Sequence, residues 1–224
     1  MSKEILVPNM TKKGKYRPKK HIGLQKFNIL LVFVGLLILI FSSFIALPIK
    51  HFILSTQIFS SNTLFNDDYI FKFVLIPQIP IIFFLYSVLR KRLAMATVIL
   101  YILLGLFFIP IFAMGGGIKY VAQFGFGYLL AFIPTIFVIN KIYHKKDSIL
   151  NALIASILGV LIIHVIGIFY MILVALIKHA GGDFIKIWII SQSGLKIVYD
   201  IIFSFVLMLI GKPLHYGIKF LTSK

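Results

Sequence analysis

Long apolar runs separated by short polar or basic breaks set the pattern of this chain. Six of them approach the roughly 20 residues a helix needs to cross the hydrocarbon of a bilayer. They cover Phe27–Leu47, Tyr69–Leu89, Leu93–Ala113, Tyr120–Asn140, Ile149–Ile177 and Gly194–Gly211. The fifth is the longest and should tilt or protrude. The first is too long for a signal peptide and is followed by no small-x-small cleavage site, so it reads as a spanning helix. The pattern predicts an all-α bundle of six transmembrane helices over residues 27–214. A basic arm over 1–26 precedes it and a short tail over 215–224 follows. No internal repeat or low-complexity linker interrupts it.

Composition agrees. Of 224 residues, 60% are hydrophobic and 13% charged, and the mean hydropathy is +1.04. A soluble domain carries roughly 25% charged residues, so lipid must cover this surface. Cysteine is absent, which excludes disulfides and thiol chemistry.

The net charge of +17 suggests nucleic acid until its placement is read. Lys and Arg gather between the apolar runs and do not interleave with aromatics on a polar face. One side would hold 17 of the 23: the amino-terminal arm, Arg90-Lys91-Arg92, Lys141, Lys145 and Lys146, and Lys212, Lys219 and Lys224. The positive-inside rule puts that side, and both termini, in the cytoplasm. The partner this charge implies is the lipid surface, not nucleic acid.

Ionisable groups inside a span are costly and mark candidate sites. Asp200 lies in the sixth run, and Lys196, four residues earlier, shares its helix face. The pair is either a polar site open to the outside or an ion pair locking two helices. His164, midway along the fifth run, reads as a neutral, hydrogen-bonded packing residue. No HExxH and no second His at ligand spacing is present, so metal catalysis is unsupported. No serine has a base nearby and no span holds two carboxylates, so the chain does not read as an enzyme.

Proline and glycine point elsewhere. Ile76-Pro77-Gln78-Ile79-Pro80 should break the second helix, with the Gln78 amide offered at the break. The loop with Gly115, Gly116, Gly117 and Lys119 is short enough to pass close over a ligand. Gln123, Gly125, Gly127 and Tyr128 open the fourth run with small residues where a ligand or helix could approach. Two small-residue stripes read as packing faces or docking faces: Gly35, Ser42 and Ala46, and Ala152, Ala155, Ser156 and Gly159.

The stretches Gly105–Pro110 (GLFFIP), Ile111–Gly117 (IFAMGGG) and Gln123–Leu129 (QFGFGYL) resemble the BioY family, the biotin-binding S-components of energy-coupling-factor (ECF) transporters. The family pattern is a G-x-x-x-x-P-V/I-F-A-x-G loop, then P-T-G-G-Y-L/F opening the next helix. Pro77-Gln78-Ile79-Pro80 and Asp200 are similarly placed. The likeness is motif-specific over about residues 75–132. Two departures stand out. Gln123-Phe124-Gly125-Phe126-Gly127-Tyr128 has neither the Pro nor the Thr. The family's last-helix G-D-x-x-K has Phe203 at the Lys position, leaving Lys196 or Lys119 to supply the cation.

The resemblance implies a multi-pass protein of the cell membrane that captures biotin from outside. It would work with a separate T-component and two ATPases, since this chain has no Walker motif, and would need no cofactor of its own. Asp200 would accept the ureido N–H groups, a buried cation would meet the valerate, and Phe112, Phe124 and Tyr128 would cover the rings. The Gly35, Ser42 and Ala46 stripe would face the T-component. The alternative readings are a transport protein for another small solute and a structural membrane subunit without a ligand.

Overall fold

The computed structural model describes residues 22–52, 70–143 and 147–222. Most of the basic arm, Tyr69, Lys145, Lys146 and Lys224 lie outside the described residues. The elements are α1 (Ile22–Phe44), β1 (Leu47–Phe52), β2 (Ile70–Leu75), α2 (Gln78–Phe107), a short 3-10 helix (Ile118–Ala122), α3 (Phe126–Tyr143), α4 (Ile149–Ile177), α5 (Gly182–Ser193) and α6 (Lys196–Thr222). The centre of the bundle is α2, which packs against α1, α3 and α6. The bundle closes where α3 and α6 meet α4. Among the described residues, four stretches are long and apolar enough to cross a membrane: Lys26–Phe44, Phe126–Tyr143, Ile149–Ile177 and Gly182–Thr222.

The α2 helix is broken. Arg90 takes φ 62° and ψ 176°, which divides it into arms 78–89 and 91–107. That backbone region costs a residue with a Cβ about 1–3 kcal/mol, so the surroundings must hold it. They do so through the side chain. The Arg90 guanidinium forks onto Asp147, with Nη1 3.0 Å from Oδ1 and Nη2 closer still to Oδ2. It also lies 5.7 Å from the centre of the Tyr143 ring. Asp147 sits just ahead of α4, whose first turn is capped by Ser148 accepting the Asn151 N–H at 3.1 Å. From α6, Lys212 donates to the Asp147 carbonyl at 2.6 Å and Tyr216 to its carboxylate at 3.2 Å. One end of the bundle is thus a single polar knot joining the α2 turn, the α3–α4 junction and α6.

The described residues are mostly helical, as expected of an all-α membrane bundle, with one short strand pair beside the helices. β1 and β2 form an antiparallel pair, in register from Leu47 with Leu75 to Phe52 with Ile70. The second apolar run therefore starts as strand, and its helix begins only at Gln78. The prolines explain this. Pro77 is the N-cap and Pro80 lies in the first turn, where backbone N–H groups have no helical partner to lose. Pro77 also disfavours helix at Ile76. The expected mid-helix break is a helix start.

Small residues pack the interior. Ala152, Ala155, Ser156 and Gly159 are all buried. A Cβ on Gly159 would come within 2.7 Å of the Phe83 ring. The stripe expected on the first helix is split. Gly35 faces Leu89, Leu85 and Thr97, and Ser42 is buried and bonds back to the Leu39 carbonyl at 2.7 Å. Ala46 lies past the end of α1 and is exposed. The outward face of α1 is instead bulky: Phe33, Leu37, Phe41 and Phe44.

Candidate binding site

At the end of the bundle away from Arg90 lies a cavity of about 190 Å3. Val74, Ile76, Gln78 and Ile79 line it where β2 passes into α2, and Ala113, Met114 and Tyr120 line it from the loop that follows. Gly125, Tyr128, Leu129 and Phe132 come from α3 and the residue before it. Trp188 and Gln192 come from α5, and Lys196 from the first residue of α6. Most of these walls are apolar, with a few converging polar groups, as small-molecule sites usually are.

Behind the wall runs a buried polar chain. The Lys196 ammonium donates to Asp200 Oδ2 at 2.6 Å. His164 Nε2 meets the same oxygen at 3.1 Å, and His164 Nδ1 meets Ser193 Oγ at 2.8 Å. Ser193 Oγ lies 2.6 Å from Tyr128 Oη. The chain leaves the cavity at Tyr128 and returns to it at Lys196, linking α3, α5, α4 and α6. Asp200 is fully buried, and its Oδ1 has no partner among the described residues.

Two glycines seat the tyrosines between α3 and α4. A Cβ on Gly167 of α4 would come 2.6 Å from the Tyr128 ring, and one on Gly127 of α3 would come 2.3 Å from Tyr170 Cβ. Tyr128 reaches the cavity because Gly167 leaves room for its ring. On the far wall, Gln78 Nε2 donates to Ser43 Oγ at 2.6 Å and to Tyr101 Oη at 2.7 Å, which ties the start of α2 to α1.

Of the residues expected at the site, the structure brings Gln78, Tyr128 and Lys196 together on the cavity wall. Asp200 stands one layer back, linked to the cavity by Lys196 and, through His164 and Ser193, by Tyr128. Gly115, Gly116 and Gln123 are not among the described lining residues, nor is Lys119. The glycines fold the loop instead. Gly115 and Gly117 take φ 119° and 81°, and Gly117 N–H bonds to the Gly105 carbonyl at 2.8 Å. A Cβ on Gly116 would lie 2.5 Å from Pro110 Cα. Phe112 is buried between Tyr101 and Tyr120 and is no cavity wall. Phe124 packs on Phe184 and Trp188, fastening α5 to the rim, with the Lys178 ammonium 4.8 Å from its ring centre.

Trp188, Gln192 and Ser193 were not legible as site residues, because α5 is short and lies between the fifth and sixth apolar runs, outside both. Their signal was the spacing of Phe184, Trp188 and Gln192, four apart on one helical face. The Trp188 indole N–H is buried without a partner among the described residues.

A model of the BioY family matches residues 70–219, a span that contains every lining residue named above. A protein of Lysinibacillus sphaericus described as a probable biotin transporter BioY is 33% identical over 96 residues, 42% of this chain and 49% of that protein. The chain thus matches about half the length of that relative. In fold, the chain is similar to the crystallised S-component for biotin from an ECF-type ABC transporter. The TM-score is 0.63 at 17% identity, over 88% of this chain and 95% of that one.

Proposed function

Because this chain belongs to the BioY family, we propose that it is the biotin-capturing S-component of an ECF-type uptake system in the cell membrane, a transport subunit and not an enzyme. The observation that carries this reading is a cavity with apolar walls and one nearly buried ammonium, that of Lys196, held by Asp200. Biotin has an apolar bicyclic body, a ureido group and a valerate carboxylate. Lys196 meets the carboxylate. Phe203, at the family's Lys position, is exposed and is not among the described lining residues, so the cation sits seven residues, about two turns, back toward the start of α6. Tyr128, Gln78 and Trp188 supply the polar contacts for the ureido group, and Ile79, Leu129 and Phe132 the apolar wall. Asp200 serves by fixing Lys196, one bond removed from the ligand.

The chain crosses the membrane six times in this reading: α1, the run from β2 through the first arm of α2, the second arm of α2, α3, α4 and α6. Support comes from charge. Lys26, Arg90, Lys91, Arg92, Lys141, Lys212 and Lys219 lie toward the knotted end, where the sequence also places the rest of the basic arm ahead of α1, against Lys50, Lys72, Lys119, Lys178, Lys186 and Lys196 toward the cavity end. The positive-inside rule then turns the cavity outward and both termini inward. A separate T-component and two ATPases complete the system and carry out ATP hydrolysis.

Labelled biotin binding to the full chain in nanodiscs tests the reading, with uptake into a biotin-requiring host with and without the partner subunits. Saturable binding displaced by unlabelled biotin is expected. Absence of binding by well-folded protein, or displacement only by a different solute, overturns it.

A further inference from the structure

The buried chain from Asp200 to Tyr128 has a direction. The Lys196 ammonium on Oδ2 makes Asp200 a carboxylate, which can only accept hydrogen bonds. His164 Nε2, 3.1 Å from that same oxygen, must therefore carry a hydrogen. A neutral imidazole then has a bare Nδ1, which can only accept. Ser193 Oγ, 2.8 Å away, gives its single hydrogen to that nitrogen. It has only lone pairs left for Tyr128 Oη at 2.6 Å, so the tyrosine is the donor of that bond. The hydrogen of Tyr128 is thereby committed away from the cavity. His164 is 1% exposed and edge-on to the Tyr128 ring. The described groups that meet it through polar atoms are Asp200 from α6 and Ser193 from α5.

We propose that His164 is a positioning residue that sets the hydrogen-bond polarity of the cavity: by directing the chain toward Asp200 it makes Tyr128 an acceptor, so that the site selects a ligand presenting an N–H or O–H at that point. The choice of a biotin ureido N–H as that donor rests on the function proposed above; the direction of the chain does not. An imidazolium at His164 would donate at both nitrogens, turn Ser193 toward Tyr128, and free the tyrosine hydrogen to point at the ligand.

Two measurements keep the two ideas apart. In the full chain carrying 15N-histidine, with the His164 signal assigned by its loss in His164→Gln, the nitrogen shifts report the tautomer without any ligand. Hydrogen on Nε2 alone at neutral pH is expected. Hydrogen on Nδ1 alone, or on both nitrogens, overturns the proposal whether or not biotin binds. The second measurement compares biotin with an analogue whose ureido nitrogens are methylated. Glutamine can repeat both roles of the imidazole, donating to Asp200 and accepting from Ser193, so His164→Gln should keep the preference for biotin. His164→Leu and Ser193→Ala should reduce it about tenfold, the worth of one good hydrogen bond. If His164→Leu and His164→Gln discriminate equally well, the polarity is not set by His164. If wild-type protein shows the expected tautomer but binds no biotin, the failure belongs to the ligand assignment alone.

Discussion

The Arg90 guanidinium and the Asp147 carboxylate clasp the turn between the two arms of α2 to the start of α4. The clasp holds Arg90 in a backbone conformation that suits glycine better. The two contributions can be separated. Arg90→Ala loses the fork and keeps the strain, whereas Arg90→Gly loses the fork and relieves it. Arg90→Gly should be the more stable of the two by about 1 kcal/mol. Arg90→Lys, which keeps the charge but not the fork, should cost about 1–2 kcal/mol. Unfolding of the three variants in the same detergent measures both.

The same pair makes stability depend on pH. Burial alone would push the Asp147 carboxyl up, yet the Arg90 hydrogen bonds and charge, helped by Tyr216 and Lys212, hold it below the usual carboxylate range. A lowered folded-state value adds stability that is complete above the ordinary value of about 4 and is lost as pH falls through the lowered one. Melting temperature against pH should therefore drop more steeply below about pH 4 in the wild type than in Asp147→Asn. Parallel curves would remove this pair from acid sensitivity.

Stability and binding should come apart at Lys196 and Asp200. Lys196→Met leaves a buried carboxylate without its cation and should cost about 3–5 kcal/mol. It should also remove the valerate contact. Adding Asp200→Asn relieves the stranded charge, so the double variant should regain most of the stability but none of the biotin affinity. Recovery of both would make the pair a structural lock and nothing more.

Gly127 and Gly167 should differ although they do the same mechanical job. Alanine at either position meets a tyrosine at 2.3 or 2.6 Å, and each substitution should cost about 1–3 kcal/mol through overpacking. Only Gly167→Ala displaces Tyr128, so only it should also lower biotin affinity. Melting temperature and binding on the same purified samples decide this.

Trp188 is the single tryptophan of the chain and lines the cavity, its N–H without a partner among the described residues. Its fluorescence should shift when biotin fills the cavity. Trp188→Phe should weaken binding about tenfold, one lost hydrogen bond, with little change in melting temperature.

What the sequence made legible follows from how each element is encoded. The bounds of α4, Ile149–Ile177, coincide with the apolar run because Ser148 caps its start and nothing interrupts it. The break at Arg90 was legible as three consecutive basic residues. β2 was not, because Ile70–Leu75 is as apolar as a helix end and only its pairing with β1 makes it a strand. The polar partners were half legible. Lys196 and Asp200 share a helix face four residues apart, but His164 of α4 meets Asp200 of α6, and Ser193 of α5 meets Tyr128 of α3, a proximity no local spacing records. The glycine loop misled for a related reason: its residues were chosen for backbone shape, which resembles the composition of a loop that touches a ligand.

The paired glycine seats between α3 and α4 also limit how the molecule can move. Each tyrosine sits on the other helix's bare backbone, in opposite directions across the same interface. A slide of one helix past the other by a single residue would drive at least one ring into a side chain. Shear along this interface is therefore blocked, and α3 and α4 behave as one beam. Any alternation between open and closed shapes has to be found in the parts not keyed to that beam, and on the cavity side those include α5, bounded by Gly181-Gly182 and Gly194 and held at the rim by aromatic contacts.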